Sequence, residues 1–463
     1  MEILLPGALI FIYLLSIILV ESKFIDREAE LQWLEEAYKS PAAQMLVLYG
    51  RRRIGKTALV VWFLRGKRGI YHMCTYDSIE KNVRELLDKL AELTRLEYLR
   101  HLEPRFDVFL DVLARVSAEE RVVLALDEFQ YLVELDPSIP SVLQRAWDLS
   151  LSRTKIFLIL VGSSVGMIEE RVLSRKSPLY GRRTGSWKMG ELPPGRIREF
   201  LPGWNSVDVF KAWAVVGGVP YYLSLFDANR GFEENLLRLF RKGGPLYEEP
   251  MFLLREELRE PRVYVSILEA IAGGRHALGE IADWAGLDRS KASKYLWVLQ
   301  HLEIVRREVP VGKKRGLYYI SDNLFQFWFR FVYPNLSALE QGDVRPLQDG
   351  EALSQYFGEM FEEFIRRYSP SIFGVRLGKY VKGNVDIDLA GEAHGCRIYG
   401  EVKWSEDVDA ETVMRNLVRK AEGDVYIVVA RGFRKRTANS YTLQEIFDVL
   451  ESGSRIKLCA EAT

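Results

Sequence analysis

The chain has few cysteines and no excess of charge of either sign. Its three cysteines, Cys74, Cys396 and Cys459, are far apart in the sequence and lack the spacing of metal ligands. This argues against structural zinc and against disulfide bonds, and fits a reducing cytosol. Lysine plus arginine number 64, as do aspartate plus glutamate. Any binding to nucleic acid therefore has to come from a local basic patch.

The 463 residues do have a globular composition, with 48% hydrophobic and 28% charged side chains. This length is enough for about three domains. An apolar run at residues 3–20 is marginally long enough to cross a bilayer, and Lys23 and Arg27 after it would keep the rest of the chain in the cytoplasm. A mis-assigned start codon is an equal alternative, and either reading predicts a cytoplasmic main body.

The clearest motif follows an apolar run and precedes the apolar start of a helix. Residues 50–57 read GRRRIGKT and fit the pattern G-x-x-x-x-G-K-[ST]. Backbone N–H groups of such a loop face phosphates, and the following helix adds positive potential. Lys56 would neutralise phosphate charge and Thr57 would ligate Mg²⁺. The alternative interpretation is a surface turn that matches the pattern by chance. The predicted ATP-binding residues are Gly50, Arg51, Arg52, Arg53, Ile54, Gly55, Lys56, Thr57 and Ala58.

A second apolar run, residues 121–126, ends in the adjacent carboxylates Asp127 and Glu128. In a P-loop site Asp127 would hold Mg²⁺ through water or Thr57, and Glu128 would orient and deprotonate an attacking water. The alternative is a solvated strand end. A further strand, 155–161, leads to Ser163, whose hydroxyl could sense the γ-phosphate. Arg182 could act as a finger on a neighbouring subunit in a homo-oligomer, although exposed arginines are more often plain surface charge.

Residues 193–261 show helical apolar spacing and are predicted to form a lid. Three helices at 263–273, 278–285 and 288–302 then have helix-turn-helix spacing, and two short strands with a basic tip form a wing. Contacts with DNA phosphates are favoured over a protein-contact role. The predicted DNA-binding residues are Arg289, Lys291, Lys294, Lys313, Lys314 and Arg315.

The last region carries a second group of charged residues after a densely aromatic stretch at 322–335, which is read as a packing helix. Glu362 lies on a predicted helix, Asp386 on one strand of a hairpin, and Glu401 and Lys403 on one face of the next strand. Such residues together can bind Mg²⁺ and activate water for phosphodiester cleavage. A hairpin with solvated charges is the alternative.

With these residues in hand, the chain resembles the archaeal ATPase family of P-loop proteins. The resemblance rests on residues 50–57, Asp127-Glu128, the segment GGVPYYL at 217–223 and the aromatic run after Asp322. That family is similar to AAA+ and related signalling ATPases. The resemblance implies a winged helix and a C-terminal domain like PD-(D/E)xK nucleases. It also implies that Gly50, Gly55, Lys56 and Thr57 hold phosphates and metal.

The predicted architecture is α/β. It comprises a P-loop NTPase parallel sheet with a helical lid, a winged helix and a C-terminal α/β PD-(D/E)xK-like domain. The predicted function is an ATPase that couples nucleotide state to DNA binding and DNA cleavage. A membrane-tethered or cytosolic signalling NTPase that contacts proteins is the alternative. The predicted divisions are 1–22 apolar segment, 23–192 ATPase domain, 193–261 lid, 262–321 winged helix, 322–352 aromatic linker and 353–463 nuclease-like domain.

Overall fold

The computed structural model describes residues 25–258, 260–309, 315–383 and 385–459. Over these residues the chain forms two compact units, and the division falls between Glu191 and Leu192. The apolar run at 3–20, for which a membrane span was one reading, lies outside the described residues. Within the described ranges, no helix is both long enough and apolar enough to cross a bilayer.

The first unit is built on a five-stranded sheet. Its strands are β1 (Gln44–Tyr49), β2 (Gly69–Met73), β3 (Val123–Asp127), β4 (Phe157–Gly162) and β5 (Gly185–Lys188). All neighbours pair in parallel, in the order β2-β3-β4-β1-β5. Every residue of β3 and β4 is buried, as expected for strands covered by helices on both faces. The carboxyl ends of β1, β3 and β4 therefore meet at one edge of the sheet.

Helices connect these strands. They are α1 (Glu28–Lys39), α2 (Lys56–Leu64), α3 (Ile79–Thr94), α4 (Phe106–Glu119), α5 (Gln130–Leu135), α6 (Ile139–Leu149) and α7 (Val165–Met167). Short 3₁₀ segments at Glu97–His101 and Leu151–Arg153 and a π-helical turn at Ile168–Leu173 complete the unit. Helix α3 is capped by Ser78, whose side chain accepts from the N–H of Lys81.

The second unit contains the predicted lid, winged helix, linker and C-terminal region. Its first helices are α8 (Ser206–Val216), α9 (Pro220–Ser224), α10 (Phe232–Phe240), α11 (Glu249–Glu257), α12 (Pro261–Ala272), α13 (Leu278–Trp284) and α14 (Arg289–His301). Strands β6 (Val305–Glu308) and β7 (Leu317–Ile320) pair antiparallel after α14. Helices α12 to α14 and these two strands form the winged helix.

The rest of the second unit carries a mixed sheet. Its helices are α15 (Asn323–Phe327), α16 (Leu336–Glu340), α17 (Gly350–Phe373), α18 (Ala410–Lys420) and α19 (Leu443–Ser452). The strands of this part of the second unit are β8 (Gly378–Lys382), β9 (Val385–Ala393), β10 (Cys396–Lys403), β11 (Val408–Asp409), β12 (Val425–Ala430), β13 (Phe433–Lys435) and β14 (Ser440–Thr442). The sheet order is β14-β12-β10-β9-β8, with β8, β9 and β10 antiparallel and β10, β12 and β14 parallel.

One continuous apolar core runs through this second unit. Phe210 of α8 packs against Phe361 and Phe364 of α17 and against Trp404, with ring centroids 4.9–5.5 Å apart. Trp328, in the predicted aromatic linker, is 1% exposed and its Nε1 donates to the carbonyl of Tyr247 at 2.7 Å. The aromatic residues therefore join the lid to the C-terminal sheet, so these parts share one core.

The prediction against disulfide bonds was wrong for two of the three cysteines. Cys396, at the start of β10, is bonded to Cys459, 63 residues later. The distance between the two cysteines along the sequence did not reveal this bond, because the C-terminal segment folds back onto the domain. The backbone N–H of Ile456 donates to the carbonyl of Ile372 at 2.8 Å and holds the segment there. Cys74 is buried and unbridged.

Replacing Cys396 by Ser should lower the urea midpoint of unfolding. Closure of a 63-residue loop restricts the unfolded chain and stabilises the fold by at most about 4 kcal/mol. The reductant dithiothreitol should shift the midpoint of the wild-type protein and leave that of the variant unchanged. Equal midpoints for both proteins without reductant would show that the bridge does not stabilise the fold.

Candidate functional site

The loop between β1 and α2 has backbone conformations that favour glycine at both ends. Gly50 has φ 152° and Gly55 has φ 90°, a region that L side chains rarely enter. A Cβ on Gly50 would also lie 2.4 Å from the carbonyl oxygen of Met189. The two glycines of the motif are therefore required by the local geometry of the loop.

Lys56, the first residue of α2, turns back onto this loop. Its Nζ donates to the carbonyl oxygens of Gly50 at 2.9 Å and Arg51 at 2.7 Å. The residue is only 6% exposed. The ammonium is thus held against the curled backbone at the N-terminus of a helix, which is where a phosphate group would be bound.

The loop arginines contact neighbours of the loop. Arg51 pairs with Glu191 at 3.1 Å, and Arg52 Nη2 donates to the Tyr131 hydroxyl at 3.0 Å. From outside the motif, Arg27 Nη2 donates to the carbonyl oxygens of Ile54 and Gly190, each at 2.9 Å. The loop is therefore tied to residues 190–191, and neither Arg27 nor Glu191 was predicted from the sequence.

The two predicted carboxylates at the end of β3 lie beside this loop. Thr57 Oγ1 donates to Asp127 Oδ2 at 2.6 Å, and the backbone N–H of Glu128 donates to Asp127 Oδ1 at 2.9 Å. Burial raises the pKa of Asp127, and so does the Glu128 charge, although hydrogen bonds from Thr57 and Tyr71 oppose the rise. A hydroxyl and a carboxylate are the hard oxygen donors that Mg²⁺ takes beside nucleotide phosphates, so these residues fit the metal.

Glu128 is held by two side chains of the neighbouring elements. Ser163 Oγ, just beyond β4, donates to Glu128 Oε2 at 2.5 Å, and Gln130 Nε2 donates to the same oxygen. Gln130 also donates to Ser163 Oγ at 3.1 Å. The backbone of Glu128 has φ 54°, which is unusual for a residue with a side chain. Ser163 was predicted to act here, whereas Gln130 was not.

Tyr71 is a further residue of the site that the motifs did not reveal. Its hydroxyl donates to Asp127 Oδ2 at 2.8 Å from the neighbouring strand β2. Burial raises the pKa of Tyr71, and the Asp127 charge raises it further. The phenol therefore stays protonated and acts as a donor. Its place in the site depends on the register of β2 against β3, which no motif in the sequence signals.

Arg182 lies on the surface of the first unit. Its Nε and Nη2 donate to the two carboxylate oxygens of Asp148 at 2.9–3.1 Å. A hydrogen bond to Asp148 raises the pKa of the guanidinium. The role predicted for Arg182, on the phosphate of a neighbouring subunit, stays a prediction.

The predicted DNA-binding residues of the winged helix are exposed where the structure describes them. Arg289, Lys291 and Lys294 lie on α14, and Arg315 precedes β7. Asp288 caps α14, because its side chain accepts from the N–H of Lys291. Lys313 and Lys314 lie outside the described residues. Trp297 on α14 is 62% exposed and stacks on His301.

The charged residues predicted for the C-terminal site lie together in the structure, with one exception. Lys403 Nζ lies 2.5 Å from Glu401 Oε2 and 3.6 Å from Asp388 Oδ2. Burial and the charges of Glu362 and Glu401 together raise the pKa of Asp388 to about 7, although the Lys403 charge opposes the rise. Asp386, which was predicted for this place, is more than half exposed and pairs with Lys379 at 3.2 Å. Asp388 therefore joins the cluster instead, because it lies further into the buried part of β9.

Two more cations contact this cluster. Lys420 of α18 donates to Glu401 Oε1 at 2.7 Å, and Arg366 of α17 donates to Glu362 at 3.2 Å. Burial raises the pKa of Glu401, but the hydrogen bonds from Lys403 and Lys420 outweigh it, so the net pKa is lowered.

Glu362 also lines a cleft of about 860 Å³ whose walls include Arg275 and Arg306 of the winged helix. Across the described part of the chain, no three acidic, histidine or cysteine side chains are arranged to hold a metal ion.

Comparisons with known proteins match three parts of the chain. Residues 24–226 match an ATPase domain predominantly from Archaea, 264–309 an IclR helix-turn-helix domain, and 328–415 a domain of archaeal and bacterial proteins of unknown function. An uncharacterized protein of Methanocaldococcus jannaschii is 33% identical over 419 residues, which cover 86% of this chain and 92% of that protein. The chain belongs to the archaeal ATPase family.

Two further comparisons bear on this archaeal ATPase. A second uncharacterized protein of Methanocaldococcus jannaschii is 41% identical over 92 residues, which cover 20% of this chain and 89% of that protein. A Walker-type ATPase of Pyrococcus abyssi has a similar fold, with a TM-score of 0.53 at 23% identity over 66% of this chain and 96% of that one. The predictions of a parallel α/β ATPase domain and a winged helix are confirmed, whereas the nuclease-like domain stays a prediction.

Proposed function

We propose that this archaeal ATPase binds ATP with Mg²⁺ at residues 50–58, hydrolyses it, and couples its nucleotide state to DNA binding by the winged helix. The observation that carries the proposal is the pair of adjacent carboxylates at the end of β3, with Asp127 on the strand and Glu128 directly after it. Asp127 is hydrogen-bonded to Thr57 of the loop helix, and Glu128 to Ser163 at the next strand end. In this proposal Asp127 serves the metal side of the site and Glu128 serves the water side.

Each residue of the site has a separate task in this mechanism. Bound Mg²⁺ would neutralise charge on the β- and γ-phosphates. Lys56 leaves the loop carbonyls to donate to phosphate oxygens, and the loop N–H groups hold the same oxygens. Glu128 accepts a proton from the attacking water, while Ser163 and Gln130 fix the direction of its carboxylate. Arg182 of a second copy would reach the transferred phosphate only in an oligomer.

Replacing Glu128 by Gln should lower ATP turnover at least about 100-fold and leave ATP affinity unchanged, because the amide cannot take a proton from water. Replacing Lys56 by Ala should abolish nucleotide binding. Turnover is measured on the full chain with Mg²⁺, alone and with duplex or single-stranded DNA.

Stimulation by DNA in the wild-type protein supports coupling. Turnover indifferent to DNA would instead favour a switch that contacts proteins, and tight ATP binding by the Lys56 variant would refute the site.

Replacing Arg289, Lys291 and Lys294 together by Ala should weaken DNA binding. The slope of log affinity against log salt should also become shallower, by about 0.9 for every phosphate that the variant no longer neutralises. Anisotropy of a labelled mixed-sequence duplex measures both quantities. The matched control replaces three other exposed cations of the second unit, Arg241, Lys242 and Arg345. Equal affinity and equal salt slopes for the two triple variants would argue against α14 as the element that binds DNA.

We further propose the C-terminal cluster as a DNA-cleaving site that uses Asp388 in the place given to Asp386. Support comes from Glu362, Asp388, Glu401 and Lys403, which converge from α17, β9 and β10. Lys403 and Lys420 both contact Glu401, and the described residues include no group of three or more acidic, histidine or cysteine side chains arranged to hold a metal ion. No step through a metal ion is therefore assigned to the cluster.

The two aspartates of β9 offer a matched pair for testing this site. With Mg²⁺ and duplex, single-stranded or branched DNA, Asp388→Asn should abolish cleavage, because it removes the buried carboxylate beside Glu401. Asp386→Asn should cleave like the wild-type protein, because its exposed side chain pairs with Lys379. Cleavage is followed on labelled DNA in gels. Absence of wild-type cleavage on every DNA, or loss in the Asp386 variant alone, would refute the assignment.

A further inference from the structure

Both carboxylate oxygens of Asp127 are engaged by donors from three parts of the chain. Oδ2 accepts from Thr57 Oγ1 at 2.6 Å and from the Tyr71 hydroxyl at 2.8 Å, and Oδ1 accepts from the N–H of Glu128 at 2.9 Å. Thr57 belongs to the loop helix, and Glu128 follows in sequence. Tyr71 is the donor that comes from a different strand.

The sheet register explains how Tyr71 reaches this carboxylate. Strands β2 and β3 run parallel, with Tyr71 beside Ala125 and Met73 beside Asp127. Side chains two residues apart point to the same face, so Tyr71 and Asp127 lie on one face although their Cα atoms are offset along the strands. That face packs against α2, with Leu59 and Val60 in the same core cluster. The length of the phenol spans the offset.

A phenylalanine would fill the same apolar space, so packing alone does not require the hydroxyl. Asp127 is 1% exposed, and a buried carboxylate is costly unless hydrogen bonds hold it. The Tyr71 hydroxyl binds the same oxygen as Thr57, the residue expected to ligate Mg²⁺. Its effect should therefore concentrate on the metal side of the site.

We propose that Tyr71 is a positioning residue for the Mg²⁺ side of the ATPase site. Its hydroxyl fixes the direction of the Asp127 carboxylate and supports its charge, so that Asp127 and Thr57 are in place when Mg²⁺ arrives with ATP. The inference rests on the proposed ATPase function. It requires that loss of the hydroxyl affect metal-dependent nucleotide binding and spare metal-free binding, where Lys56 and the loop N–H groups act.

Replacing Tyr71 by Phe removes this one hydroxyl. A fluorescent ATP analogue is titrated into the full chain in EDTA and then at increasing Mg²⁺. The variant should bind the analogue in EDTA as the wild-type protein does, and should need about tenfold more Mg²⁺ for the half-maximal gain in affinity, since a hydrogen bond to a charged group is lost. Tyr71→Met, which also lacks the hydroxyl but has a flexible apolar side chain, should give the same shift.

The control is Tyr426→Phe, which removes a hydrogen-bonded phenol hydroxyl in the second unit. It should bind the analogue and Mg²⁺ as the wild-type protein does. An unchanged Mg²⁺ requirement in the Tyr71 variants, or equal losses with and without Mg²⁺, would overturn the inference while the ATPase proposal stands. If the wild-type protein binds no nucleotide under either condition, the proposed function fails and the role of Tyr71 falls with it.

Discussion

The hydrogen bond from Thr57 to the buried Asp127 carboxylate is the contact on which the proposed nucleotide site depends. It joins the first turn of α2 to the end of β3, two elements that are 70 residues apart in sequence. Since a carboxylate at this depth is strongly disfavoured unless hydrogen bonds hold it, the bond helps to fix how the loop helix meets the sheet. The positions of Lys56 and Glu128 follow from it, because each adjoins one of the two bonded residues.

Much of this site could be predicted because its signals are local. The glycines, Lys56 and Thr57 lie in one loop, and Asp127 and Glu128 end one apolar strand. Tyr71 could not be predicted in the same way, because its role depends on the register of β2 against β3. The sequence likewise did not indicate that Asp388, and not Asp386, lies in the C-terminal cluster. Strand alternation puts both on one face, and only the depth of burial along β9 separates them.

The second unit shows a different limit of sequence reading. Helical spacing, turns and strand patterns indicated a lid, a winged helix and a C-terminal α/β region, and the structure has helices and strands in each. The sequence did not indicate that they share one core, because packing partners such as Phe210 and Phe364 are over 150 positions apart. The Cys396–Cys459 bridge escaped prediction for the same reason, since only the folded chain brings the two thiols together.

The contacts that hold the loop at residues 50–57 have a consequence for sequence variation. Arg27 and Gly50 meet the segment at 189–190 through its backbone carbonyl oxygens. Every amino acid supplies that carbonyl, and a Cβ on Gly190 would meet no heavy atom within 4 Å, so we expect position 190 to accept other residues without disturbing the loop. We expect less freedom at positions 27 and 50, because Arg27 donates to the carbonyl oxygen of Gly190 through its guanidinium and a Cβ on Gly50 would lie 2.4 Å from the carbonyl oxygen of Met189.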